Sequence, residues 1–78
     1  MDYIVQQLKK IGFNEYEAKS YVSLVKQGSV TAYQVSKDSG VPRARIYEIL
    51  GNLVEKGIVM KEEINDTTRY SQIGRAHV

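Results

Sequence analysis

The chain has no cysteine and no tryptophan, and only one proline, one phenylalanine and one histidine. Without cysteine, neither a disulfide framework nor a thiolate metal site can be built, and a cytoplasmic location is expected. No apolar run approaches the roughly 20 residues that a membrane-spanning helix needs. The N-terminus lacks a basic segment followed by an apolar one, so no secretion signal is expected either. Charge of one sign is also scarce. Eleven Lys and Arg stand against nine Asp and Glu, a net +2, so any surface for a polyanion must arise from local arrangement rather than bulk charge. No glycine-rich phosphate loop or metal-ligand spacing is present. Glu15 and Glu17 belong to a helix start, and Glu62 and Glu63 fall on opposite faces of a strand, so no pair of carboxylates is set for acid-base work. No enzyme, cofactor or metal site is expected.

What remains is a small domain with a regular helical grammar. Its 78 residues, 42% hydrophobic and 26% charged, suit one globular unit with a modest core. Asp2 can cap a first helix whose apolar positions Ile4, Val5, Leu8 and Ile11 follow helical spacing. Lys9 and Lys10 complement the dipole of its last turn, and Gly12 offers a stop. Asn14 with Glu17 forms a capping box for a second helix, and Phe13 with Ala18 a hydrophobic staple. Ala18, Tyr21, Val22 and Val25 form one face of that helix, which Gly28 closes. Thr31 with Gln34, and Val30 with Val35, repeat the pattern for a helix of about two turns ending at Gly40, too short to be stable alone. Pro42 suits the first position of a longer helix in which Ile46, Ile49, Leu50 and Leu53 share one side and Gly57 ends the run. Residues 58–64 read as a strand, Asn65-Asp66-Thr67-Thr68 as a turn, and residues 69–73 as a returning strand.

The organising stretch is residues 31–57, a short helix, a glycine-containing turn and a longer helix. That is the plan of a helix-turn-helix, in which one helix braces and the next enters the DNA major groove. With the preceding helices and the hairpin, the fold class is mainly α (α+β), a winged helix-turn-helix with an N-terminal extra helix and a C-terminal β-hairpin wing. Residues 1–72 form the domain. Residues 73–78 match one reading frame of a sequencing-library adapter, ATC GGA AGA GCA CAC GTC, so this tail, with the lone His77, is expected not to be native.

The segments L-K-K-I-G-F-N-E-Y-E-A-K-S-Y, S-G-V-P-R-A-R-I-Y-E-I-L, E-K-G-I-V and R-Y resemble the N-terminal domain of TrmB-type transcriptional regulators across residues 8–70. The resemblance implies a winged-helix domain binding double-stranded promoter DNA, commonly as a homodimer and often in archaea. In sugar-responsive members a coiled coil and an effector domain follow; this chain stops at the wing, so an effector domain is expected to be missing from it. The turn N-D-T-T departs from the Gly/Pro/Lys-rich wing tip that such a wing would be expected to carry.

The candidate DNA-binding residues are Thr31, Tyr33, Lys37, Arg43, Arg45, Tyr47, Glu48, Asn52 and Arg69. Arg43 and Arg45 lie in the first turn of the recognition helix 43–56, and either offers a fork of donors to guanine or phosphate. Tyr47 either bonds phosphate or packs beside Ile46 and Leu50. Glu48 either accepts from a cytosine amine or, the favoured role, orients Arg45. Asn52 lies nearer backbone than bases. Thr31 caps its helix, and with Ala32 and Tyr33 can meet a phosphate at the helix N-terminus. Lys37 is a candidate phosphate contact; in the wing Arg69 leads, with Lys61, Thr67 and Thr68 behind it. Tyr16 and Tyr21 are expected at the core edge. Tyr3 and the first-helix stripe serve either a dimer interface or internal packing. The competing reading is a winged-helix module that binds protein, mildly favoured by the weak charge and by Glu62 and Glu63.

Overall fold

Helix boundaries fall where local chemistry supplies caps. In the computed structural model, which describes residues 2–73, the order is α1 (Asp2–Lys10), α2 (Glu15–Gln27), α3 (Ala32–Ser39), α4 (Arg43–Glu55), β1 (Val59–Ile64) and β2 (Thr67–Gln72). Both capping boxes form. Asn14 Oδ1 accepts from the Glu17 N–H at 2.8 Å while Glu17 Oε1 accepts from the Asn14 N–H at 3.0 Å. Thr31 Oγ1 accepts from the Gln34 N–H at 3.3 Å, and Gln34 Oε1 from the Thr31 N–H at 3.0 Å. Caps of this kind satisfy amides that have no partner inside the helix, and each stabilises by about 1 kcal/mol.

Helix α2 is the central element. It packs against α1, α3, α4 and β2, so it buries a broad arc: Glu17, Ala18, Ser20, Val22, Ser23 and Leu24. The expected face of Ala18, Tyr21, Val22 and Val25 is therefore corrected. Val25, in the last turn, is half exposed, and Leu24 is wholly buried in its place. The main core joins Leu24, Val30, Val35, Val41, Ile46, Ile49, Leu50, Leu53, Val59 and Tyr70. A smaller cluster of Val5, Ala18 and Val22 docks α1, with Leu8 and Phe13 against it. Phe13 touches both clusters and meets the Tyr21 ring edge-on at 6.0 Å. Only part of the α1 stripe is used: Val5 is buried, but Ile4 is 48% and Ile11 72% exposed.

Two boundaries shift from expectation. Pro42 is the residue before α4 rather than its first residue, because its ψ of 141° is extended. The wing turn is two residues, not four. Asn65 and Asp66 both have positive φ, 52° and 66°, the backbone that matches the right-handed twist of a two-residue hairpin and that Asn and Asp tolerate. Thr67 and Thr68 are thus in β2, paired with Ile64 and Glu63. The hairpin gains a third segment: Val30 and Tyr70 exchange backbone hydrogen bonds of 3.0 and 2.7 Å. This bridge fixes the wing beside the start of α3.

The expected non-native tail begins at Ile73, which donates its N–H to the Ile58 carbonyl at 3.0 Å; residues 74–78 lie outside the described residues. No helix of the described residues is long and apolar enough to cross a membrane.

Candidate nucleic-acid interface

The turn between α3 and α4 is set by serine. Gly40 takes the left-handed conformation, φ 81° and ψ 3°. Ser36 Oγ donates to the Val41 carbonyl at 2.6 Å, and Ser39 Oγ accepts from the Val41 N–H at 3.1 Å. Val41 is held in the core at 1% exposure, so the direction in which α4 leaves the turn is fixed by packing.

The four apolar residues Ile46, Ile49, Leu50 and Leu53 of α4 are buried, as their spacing requires, and Arg43, Ala44, Arg45, Tyr47, Glu48, Gly51, Asn52 and Glu55 are exposed. The start of this helix differs from the other two. α4 has no side-chain cap and no acidic residue in its first turn, and carries Arg43 and Arg45 there instead. Cations at a helix N-terminus oppose the dipole by about 0.3–1 kcal/mol each. The arrangement is locally unfavourable, and it leaves unpaired amides and two cations together on an open surface.

The arginines have different neighbours. Arg45 Nε donates to Glu48 Oε1 at 2.9 Å, and its guanidinium lies 5.6 Å from the Tyr16 ring centroid. Arg43 lies over Tyr33 at 4.9 Å, and Lys37 Nζ approaches the same ring at 5.8 Å. α4 thus presents one edge toward α2 through Arg45 and the other toward α3 through Arg43. The expectation that Glu48 orients Arg45 matches the contact that forms.

Beside the Tyr33 edge, a cleft of about 290 Å³ separates α3 and α4 from the wing. Thr31, Ala32, Tyr33 and Tyr47 line one side and Asp66, Thr67, Thr68 and Tyr70 the other. Tyr47 is 66% exposed, so of its two expected roles internal packing is the one the structure does not use. Burial, and then the neighbouring Tyr47, push the Tyr70 hydroxyl above the ordinary phenol pKa. Thr31, Tyr33, Lys37, Arg43 and Tyr47 are therefore brought onto one continuous surface. Asn52 is exposed on the third turn of α4, away from that cleft. Arg69 is engaged elsewhere: its Nε donates to Ser29 Oγ at 3.2 Å and its Nη2 to the Ser29 carbonyl at 2.8 Å. It ties the wing to the loop before α3.

Three contributors were not identifiable as such in the sequence. Tyr16 lies under Arg45, Ser29 holds Arg69, and Tyr70 walls the cleft while its backbone pairs with Val30. Each acts on a residue remote in the chain, so no local spacing announces it. Among the described residues no cluster of His, Cys, Asp or Glu is placed to hold a metal.

Comparison with known proteins agrees with this geometry. The family model "Sugar-specific transcriptional regulator TrmB" matches residues 8–75. Bacillus subtilis YrhO, an uncharacterised protein, is 50% identical over 52 residues, covering 67% of this chain and 19% of its own length. The sugar-sensing transcriptional regulator TrmBL1 of Pyrococcus furiosus is 45% identical over 56 residues, 72% of this chain and 16% of its own length. The chain thus spans less than a fifth of these curated relatives. Among solved structures, TrmBL2, described as an archaeal chromatin protein with a novel mode of DNA binding, superposes with TM-score 0.84 at 34% identity, covering 92% of this chain and 27% of that one. Bordetella bronchiseptica BpsR, at TM-score 0.77 and 14% identity over 91% of this chain and 53% of its own, shares the fold. From the matched residues and the shared architecture, this chain belongs to the TrmB family of sugar-specific transcriptional regulators, as a winged helix-turn-helix DNA-binding domain and not an enzyme.

Proposed function

We propose that the domain binds double-stranded promoter DNA sequence-specifically, with the recognition helix 43–56 in the major groove. The observation that carries this reading is the start of α4, uncapped and doubly cationic where α2 and α3 carry complete capping boxes. A phosphate or base edge supplies the acceptors that this helix start lacks. Thr31, Tyr33, Lys37 and Tyr47 contact backbone along the cleft, Arg43, Arg45 and Glu48 face the groove, and Asn52 meets backbone further along. Arg69 acts on the duplex, if at all, after leaving Ser29.

The reading extends to a homodimer acting in the cytoplasm on paired half-sites, with α1 as the contact, since Tyr3 (73%), Ile4 and Ile11 stay exposed. Effector sensing belongs to sequence outside this chain, and residues 73–78 are non-native. A protein-binding wing is the second reading, favoured by Met60 and Ile64, which are 44% and 48% exposed on β1.

Titration of duplex DNA at two salt concentrations tests the proposal. Affinity is expected to fall steeply with salt, by a logarithmic slope of about 0.9 for each phosphate neutralised, and Arg43→Ala or Arg45→Ala should weaken binding. Wild-type affinity in both variants would remove α4 as the reading helix, and salt-independent or absent binding would favour the wing reading.

A further inference from the structure

Arg43 and Arg45 stand two residues apart at the start of one helix, yet their surroundings differ in charge. Arg45 is neutralised by Glu48 at 2.9 Å, with both side chains about half exposed. Among the described residues, Arg43 and Lys37 form no ion pair, and both lie over the Tyr33 ring at 4.9 and 5.8 Å.

An exposed ion pair such as Arg45–Glu48 contributes little to stability. It also sets a carboxylate on the face that would meet a polyanion, where its charge lowers affinity for every sequence alike. What the pair does provide is geometry. Glu48 takes the proton on Nε and so restricts the rotation of a long side chain, while Tyr16 supports the guanidinium from α2 at 5.6 Å. The terminal amino groups are left as free donors, and two of them match O6 and N7 on the major-groove edge of guanine. An arginine so held loses less freedom on binding and is less able to swing to a nearby phosphate. Arg43 and Lys37 have the opposite character. Two uncompensated cations at one aromatic face concentrate positive charge, and a ring under the guanidinium leaves its in-plane donors open for phosphate oxygens.

We infer that the two arginines divide the work: Arg45, positioned by Glu48, reads a guanine, whereas Arg43 with Lys37 on Tyr33 holds backbone phosphate. This rests on the proposed DNA reading. Glu48 is a positioning residue that gives specificity at the expense of affinity.

Selection from a random-sequence duplex DNA pool, with affinities measured at two salt concentrations, tests the division. Wild-type chain is expected to enrich a guanine at one position. Arg45→Ala and Glu48→Ala should both lose that preference, by about tenfold or more. Glu48→Ala should at the same time bind unrelated duplex at least as tightly as wild type, a gain that mere loss of structure would not produce. Arg43→Ala should keep the guanine preference, weaken all sequences alike and reduce the salt slope by about 1. All these side chains are exposed, and far-UV circular dichroism verifies the fold of each variant. A guanine preference that survives Glu48→Ala, or one lost only in Arg43→Ala, overturns the inference. So does a wild type that binds duplex without base preference, an outcome that leaves DNA binding itself standing. A wild type that binds no duplex removes both.

Discussion

Replacing Gly51 by alanine should stabilise the domain. Gly51 lies inside α4, on the exposed side between Ala44 and Glu55. A Cβ built there meets nothing within 4 Å, so no steric term opposes the change and no cavity is filled. The magnitude is then the intrinsic difference between glycine and alanine in an exposed helix interior, about 0.8–1 kcal/mol, part of which acts by restricting the unfolded chain. For a domain of this size each kcal/mol raises Tm by roughly 4–8 °C. Gly40 supplies a control of opposite sign. It too has nothing within 4 Å of a built Cβ, but its φ is 81°, and a left-handed backbone disfavours alanine by about 1–2 kcal/mol. Thermal and urea unfolding followed by far-UV circular dichroism measures both variants. A lower Tm for Gly51→Ala, or a Tm for Gly40→Ala at or above that of wild type, would refute the argument that backbone conformation alone decides these two sites.

Two further outcomes follow from the core and from the N-terminal ion cluster. Leu53→Ala, at a wholly buried position of α4, should cost about 2–5 kcal/mol, a large share of the stability of a small domain; a urea midpoint close to wild type would show that the main core is not built around this helix. The Glu15 carboxyl is held below the ordinary value of 4.5, first by its hydrogen bond from Lys19 and then by the charges of Lys19 and Lys9. A folded-state pKa depressed in this way contributes stability that is present above pH 4.5 and lost as pH falls through the lowered value. Glu15→Gln should therefore flatten the acid limb of a plot of Tm against pH, and an unchanged limb would assign it to other carboxylates.

How much of this protein was legible in the sequence depended on the range of the interaction. Caps and periodicities act within one turn. Asn14 with Glu17, Thr31 with Gln34, and the buried set Ile46, Ile49, Leu50 and Leu53 all formed as spacing required. The Arg45–Glu48 pair, three residues apart on one helix, was open to the same reasoning. The wing was partly legible: its existence followed from composition, but the two positive φ values at Asn65 and Asp66 shortened its turn.

Contacts between residues far apart in the chain are the part that tertiary packing alone decided. Nothing near Arg69 specifies that its guanidinium bonds Ser29, and nothing near Val30 specifies its bridge to Tyr70. Tyr16 beneath Arg45 and Tyr33 beneath Arg43 exist only because α2 and α3 flank α4 in space. By itself the sequence determined where each helix starts, stops and hides its apolar side, since those choices are made by neighbours along the backbone. The tertiary structure decided what each arginine touches, because a long side chain finds its partner only after the helices have packed.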